Sequence, residues 1–147
     1  MKTFLAVLVV LLLGCTPGWA VLGEYENSVA SDQQDMHAQL RETAGQGYSI
    51  KQLASADGRT VKEYVSPAGL VFGISWQGPT MPDLRQLLGS YFAQLQQSNQ
   101  ARRRLGGPLV VETKDFVLVS GGHMRSYHGV AYVPSLLPAN VPAEMVQ

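Results

Sequence analysis

The chain has 147 residues, in which eleven lysine or arginine side chains balance eleven aspartate or glutamate side chains. A net charge of zero gives no general attraction to nucleic acid or to an anionic membrane surface, so we expect no nucleic-acid partner. Cys15 is the single cysteine, which excludes a disulfide within the chain and metal sites built from several thiolates.

Residues 1–20 have the form of an export signal. Lys2 precedes an unbroken apolar run from Phe4 to Leu13, and Gly18-Trp19-Ala20 places small residues where a signal peptidase cleaves. The run is shorter than the roughly 20 residues of a membrane span, and an uncleaved N-terminal anchor is the alternative. We predict a signal peptide over residues 1–20 and a single domain over residues 21–147, exported to the periplasm or the medium.

The leader also carries a second signal. Leu12-Leu13-Gly14-Cys15 resembles the lipobox of bacterial lipoproteins, in which the cysteine is lipidated. Under that alternative the protein would be attached to a membrane through Cys15 and would have a structural role in assembly. Because Gly18-Trp19-Ala20 lies just downstream, we predict cleavage before Val21, with membrane association only if Cys15 is lipidated.

The first elements of the domain are predicted to be a helix and a hairpin. A helix over Ser28 to Leu40 is favoured by a capping box, and a strand follows over Tyr48 to Leu53. Asp57-Gly58 predicts a two-residue hairpin turn, with both central residues at positive φ. That turn would place Gln52 opposite Glu63, a polar pair on an otherwise apolar face.

The strongest strand signal follows the hairpin. Val61 and Val65 alternate with polar residues, and a turn at Ser66-Pro67-Ala68-Gly69 leads into a second strand. The four large apolar residues of that strand are predicted to share one face. They are Leu70, Phe72, Ile74 and Trp76.

A capped helix comes next. Thr80 and Asp83 flank Pro82 in the pattern of a helix start, with Thr80 as the residue that caps free amides. The apolar residues that follow recur at helical spacing and form one stripe, predicted to face the preceding strand. They are Leu84, Leu87, Leu88, Tyr91 and Leu95.

Three further strands are predicted over Leu109–Thr113, Phe116–Ser120 and Met124–Val133, with a turn at Gly121-Gly122 and at most one helical turn in Asn140–Met145. The resulting order is α-βββ-α-βββ. Sequential hairpins predict an α+β fold, with an antiparallel sheet of about five to six strands and the central helix packed on one face.

Three separated segments resemble the bacterial domain of unknown function 2844 family. They are KEYVSPAGLVF, WQGPTMPDLRQLLGSYF and SGGHMRSYHGVAYVPSLLP. The likeness covers the chain from about Leu22 to its C-terminal end. It implies a small secreted or envelope protein of Gram-negative bacteria with no established activity, and it carries over no catalytic or binding residues.

His123 and His128 are the candidates for chemistry. If both lie on one regular strand, a separation of five residues points them to opposite faces, and they would not share a metal. The segment from Ser120 to His123 lacks a nucleophile elbow and an orienting acid. We therefore predict no catalytic set, no cofactor and no metal site.

Three other features have both a functional and a structural interpretation. Glu63 and Glu112 would suit a carboxylate pair, although nothing in the sequence brings them together. The run Arg102–Arg104 would bind a phosphate or a lipid headgroup, or form a solvated loop. Aromatic residues would line a ligand groove or fill the core. These aromatic residues are Trp76, Tyr127 and Tyr132.

The leading hypothesis is an exported, non-enzymatic binding or accessory module whose partner is an envelope protein or another envelope component. The alternative is a small hydrolase or ligand-binding enzyme that uses His123 or His128 with an acid not yet identified. The sequence indicates no oligomeric state.

Overall fold

The computed structural model describes residues 22–26, 29–101 and 107–147. The predicted leader and the arginine run lie outside these ranges. The helices are α1 Val29–Asp35, α2 Leu84–Leu88 and α3 Phe92–Ala101, and the strands are β1 Gln39–Ala44, β2 Ser49–Ala54, β3 Thr60–Val65, β4 Val71–Gly78, β5 Leu109–Glu112, β6 Val117–His123 and β7 Ser126–Tyr132. No helix in the described part of the chain is long and apolar enough to cross a membrane.

All seven strands form one antiparallel sheet in the order β1-β2-β3-β4-β7-β6-β5. The predicted α+β fold is confirmed, with one strand more than the upper count expected. β1–β4 follow one another as neighbours, and the last three strands run back so that β7 pairs with β4. The pairing of β4 with β7 therefore joins the two halves of the sheet.

The additional strand is β1, in a region where the sequence predicted a helix as far as Leu40. The helix ends earlier because the chain turns at His37, whose φ is +47°. Residues Gln39–Ala44 then pair along the whole of β2. Every residue of β1 is exposed, so no buried face gave the sequence an alternating apolar pattern.

The β2–β3 hairpin differs by one residue from its predicted register. Lys51, rather than Gln52, lies opposite Glu63. The loop is closed by a 3.0 Å hydrogen bond from Gly58 N to Ser55 O, and Gly58 alone has positive φ there, +87°. The expected two-residue turn requires positive φ at both central residues. Because a slip of one residue reverses the faces of a strand, Lys51 shares the face of Glu63.

The helices cover one face of the sheet, called here the helix face. Leu87, Leu88 and Leu95 pack in one buried cluster with Ile74 and Trp76 of β4. The other two residues of the predicted stripe are partly buried against the same cluster. The stripe and its orientation toward β4 are therefore confirmed, although Gly89, with φ +49°, and a short 3-10 turn separate α2 from α3.

The opposite face, called here the tail face, is covered in part by the C-terminal segment. Tyr64 and Phe72 cluster there with two valines of that segment. Phe72 was predicted on the same face as Trp76, and a β-bulge makes that prediction wrong. Tyr64 pairs with Gly73 while the next residue of β3 pairs with Val71, so Phe72 is the extra residue and changes face.

The start of α2 is capped by Asp83 and not by Thr80. Asp83 Oδ1 accepts hydrogen bonds from the backbone N–H of Arg85 at 2.9 Å and of Gln86 at 3.3 Å. Thr80 instead donates its hydroxyl to Asp57 Oδ2 at 2.9 Å. The predicted helix start is therefore correct in place and wrong in the residue that caps it.

The turn between the last two strands lies later than predicted. β6 continues through Gly121 and Gly122 to His123, which pairs with Ser126. The turn is Met124 and Arg125, and Arg125 takes the positive φ, +66°. Gly122 is needed for close approach, because a Cβ there would lie 2.8 Å from the Cα of the facing residue of β7.

Candidate functional site

A surface groove with a volume of about 470 Å3 lies where the β6–β7 hairpin passes the end of β4. We call it the hairpin groove. Gln77 and Gly78 of β4 pair there with His128 and Tyr127 of β7. The residues that line it are Gly58, Gln77, Gly78, Pro79, Arg125, Ser126, Tyr127 and His128.

A glycine at position 78 lets the β2–β3 loop approach β4 and line the groove. A Cβ on Gly78 would lie 2.7 Å from the Cα of Arg59, so a side chain at this position would push the β2–β3 loop away from β4. The loop residue Gly58 therefore reaches the groove from one side, and the hairpin turn with Arg125 reaches it from the other.

The polar side chains of the hairpin groove can all donate hydrogen bonds, and Arg125 can only donate. Arg125 supplies a guanidinium, His128 an imidazole, Ser126 a hydroxyl and Gln77 an amide. Tyr127 pairs with Gly78, one position along from the Gln77–His128 pair, so its side chain points to the other face of the sheet. Arg125 and His128 are exposed, and none of the described residues lining the groove is an aspartate or glutamate. Such a surface suits a ligand with carboxylate, phosphate or carbonyl oxygens.

The two candidate histidines lie on different strands, so the condition of the sequence argument, that both lie on one regular strand, is not met. His123 ends β6 and His128 lies in β7 opposite Gly121. The argument that they point apart therefore no longer applies. Only His128 lines the hairpin groove, while His123 Nδ1 lies 3.4 Å from Met124 O.

Within the described ranges, no group of three histidine, cysteine, aspartate or glutamate side chains is arranged to hold a metal ion. That the protein binds no zinc stays a prediction.

A second cluster of polar residues lies inside the core, under the helices. Asp32 of α1 and Glu63 of β3 are both 0 % exposed. The amide Nε2 of Gln86 in α2 donates a hydrogen bond to Asp32 Oδ1. Lys51 lies opposite Glu63 on β2, and its Nζ is 3.0 Å from Glu26 Oε2.

Burial raises the pKa of Glu63 well above its ordinary value, and the adjacent Asp32 raises it further through its negative charge and a hydrogen bond. Lys51 acts in the opposite direction, as a smaller effect. Glu63 is therefore the carboxyl group whose protonated form is favoured, and in that form it donates a hydrogen bond to Asp32. Such a pair holds one proton between two carboxyl groups, because ionising both in an apolar core is costly.

The sequence did not identify this acid pair. Glu63 was considered with Glu112, which is exposed in β5 at the far edge of the sheet. The sequence feature that could have indicated the pair is Glu63 itself, because it is a carboxyl group between Val61 and Val65 on an apolar face. Nothing local pointed to Asp32 as its partner.

The C-terminal residue is bound on the tail face. The main-chain oxygen of Gln147 accepts hydrogen bonds from Tyr64 Oη at 2.6 Å, Ser75 Oγ at 2.6 Å and Lys62 Nζ at 3.2 Å. Its N–H donates to the same Tyr64 oxygen at 3.0 Å. This fixes the C-terminal segment over the middle of the sheet.

The three aromatic candidates have different positions. Trp76 is 3 % exposed and its indole packs over Gly129, so it belongs to the core. Tyr132 is partly buried against the tail-face cluster. Tyr127 alone of the three lines the hairpin groove.

Comparison with known families gives one match. A family model described as a protein of unknown function (DUF2844) matches residues 18–146, a range that contains every helix and strand of the fold. The resemblance inferred from the three sequence segments is thereby confirmed. No curated protein and no solved structure matches the chain.

Proposed function

The chain belongs to the DUF2844 family of proteins of unknown function, and we propose that it is an exported, non-enzymatic binding module. Its binding surface is the hairpin groove, and its partner is an envelope protein that places a carboxylate or another acceptor-rich group in it. The export part of the proposal rests on the leader, in which Lys2, the apolar run and Gly18-Trp19-Ala20 occur in the order of a cleaved signal.

The observation that carries the binding role is the set of donors in the groove. Arg125 presents a planar group with several donors, which matches the geometry of a carboxylate. Gln77 and His128, paired across β4 and β7, place further polar side chains beside it. Gln77 and His128 lie on paired strands, so these two groups are held in position before a partner arrives, which lowers the entropy lost on binding.

One observation favours the alternative, a small hydrolase. Ser126 and His128 are two residues apart on β7 and line the same groove. A hydroxyl beside an imidazole is the start of a nucleophile and base pair, which also needs a third group to orient the histidine. A carboxylate supplied from elsewhere would have to complete it, which makes binding the better-supported function.

Site-specific cross-linking in the native envelope tests the binding proposal. A photoreactive amino acid in place of Gln77, an exposed groove residue, is expected to give a discrete adduct with one envelope protein. Arg125→Glu should remove that adduct, because the reversed charge repels an acidic group. Arg41→Glu is the matched control, since Arg41 is exposed in β1 at the edge of the sheet.

Two results would contradict the proposal. One is the absence of any adduct at position 77, and the other is an adduct of equal yield in the Arg125→Glu protein. An esterase or amidase activity of the purified protein that disappears in His128→Ala would favour the hydrolase instead.

A further inference from the structure

Helix α1 depends on tertiary packing for its stability. It has seven residues, which is too short for a helix to be stable in water by itself. Among its residues whose burial the structure describes, Val29 and Asp32 are the buried ones, at 2 % and 0 % exposure. One of the two is therefore a carboxyl group, and its position depends on what it meets beneath the helix.

The Asp32 side chain lies next to Glu63 of β3 and accepts a hydrogen bond from Gln86 of α2. Glu63 is flanked along β3 by Val61 and lies opposite Ile74 of β4, and both neighbours are fully buried. Two carboxyl groups in such surroundings attract each other while they share a proton. They repel each other strongly when both are ionised.

We propose that Asp32 and Glu63 form a proton-dependent latch, which holds α1 against the sheet while one proton is shared and releases it when that proton is lost. Gln86 donates to Asp32 in the closed form and so ties α1 to α2 as well as to β3. The latch acts on the helix face and does not depend on the hairpin groove.

The charged groups around Glu63 determine whether its pKa is higher in the closed form or in the open form. Asp32 faces it from α1, Lys51 faces it from β2, and Gln86 on α2 is neutral. The ammonium of Lys51 also contacts Glu26, which divides its effect between two carboxylates. The pKa of Glu63 is consequently higher in the closed form than in an open, solvated form.

The direction in which pH changes the stability of the closed form follows from proton linkage. A carboxyl whose pKa is raised by folding adds stability at pH values below its ordinary pKa. That stability is lost as the pH rises through the raised value. The latch is therefore closed in acidic surroundings and opens as the pH increases. For an exported chain the relevant pH is that of the compartment outside the inner membrane.

Hydrogen exchange measured by mass spectrometry tests the latch. The amides of Met36 and Ala38 report on α1, because they bond to Asp32 O at 2.9 Å and Gln33 O at 3.0 Å. After correction for the intrinsic pH dependence of exchange, the opening equilibrium of this segment should grow by up to about tenfold per pH unit between the two pKa values. Segments of β6 and β7 should show no such slope.

Glu63→Gln is the decisive variant, because its amide still donates to Asp32 and has no proton to lose. Its exchange should be independent of pH after the same correction, while Glu112→Gln, at an exposed carboxylate of β5, should keep the wild-type slope. A flat profile in the wild type, or a wild-type slope in Glu63→Gln, would overturn the proposal.

A measurement on the wild type covers the case in which Glu63→Gln does not fold. The carboxyl carbon of Glu63, followed by NMR, should keep the chemical shift of a protonated acid well above the ordinary glutamate pKa of about 4.3. A titration near that ordinary value would show that no proton is held, and the latch would be excluded.

Discussion

Replacing Gly129 by alanine tests the packing at the centre of the sheet. Gly129 lies in β7 opposite Trp76 of β4, and the indole of Trp76 occupies the space above it. An alanine Cβ would overlap Trp76 Cζ2, and it would lie 2.6 Å from Cε2 and 2.9 Å from Val119 O. Carbon atoms in good contact are about 3.5–4.0 Å apart, so the indole has to move.

The cost can be worked out from that displacement. Trp76 is 3 % exposed and belongs to the buried cluster, so its indole cannot turn toward solvent without leaving its packed position. Overpacking a core costs about 1–3 kcal/mol, a range that includes the off-rotamer side chains it forces. We expect Gly129→Ala to lower the free energy of unfolding by about 1–3 kcal/mol. With a urea m-value of about 2 kcal/mol/M, the midpoint should fall by about 0.5–1.5 M.

Urea unfolding followed by circular dichroism provides the measurement, with Gly121→Ala as the matched control. Gly121 lies on the adjacent strand, and its Cβ would meet the end of the exposed His128 side chain at 3.2 Å, which can turn away. That variant should differ from the wild type by less than about 1 kcal/mol.

In a Trp76→Phe background the smaller ring leaves room, and the cost of Gly129→Ala should fall, with a coupling energy of about 1–3 kcal/mol. An unchanged midpoint for Gly129→Ala, or an equal cost in both backgrounds, would refute the reasoning.

Three further predictions concern processing, the helix stripe and metal binding. The intact mass of the exported protein should correspond to a chain that begins at Val21, and a diacyl or triacyl adduct on Cys15 would show that the lipobox is used instead. Leu88→Ala, at a residue that is 0 % exposed, should cost about 2–5 kcal/mol in a urea melt. Gln97→Ala, on the exposed side of α3, should cost less than about 0.5 kcal/mol, and equal costs would contradict the orientation of the helices. Protein purified without a histidine tag should contain no stoichiometric zinc, and a melting temperature lowered by a chelator and restored by zinc would contradict that prediction.

The sequence by itself determined the elements whose signals are local. The stripe from Leu84 to Leu95 and the alternation around Val61 need only helical or strand periodicity, and both elements formed where they were predicted. Asp57-Gly58 likewise predicted a hairpin, because glycine accepts a positive φ that other residues avoid. The α+β class followed from the order of these elements.

Only the tertiary structure decided the details that depend on more than one element. The positive φ at Gly58 alone, rather than at two residues, shifted the β2–β3 register by one and placed Lys51 beside Glu63. The extra residue Phe72 changed face because of a bulge whose partner is another strand. Local periodicity cannot detect either effect, since it contains no information about pairing.

The sites depended on tertiary structure for the same reason. The hairpin groove needed the ends of β4 and β7 and the β2–β3 loop to meet, and His128 lines it because the pairing of β7 with β4 places it opposite Gln77. The acid pair needed α1 to pack over β3. A buried Glu63 needs a polar partner, because an isolated carboxyl in a core is costly. Which residue supplies that partner was decided by the packing of a distant helix, which brought Asp32 to it.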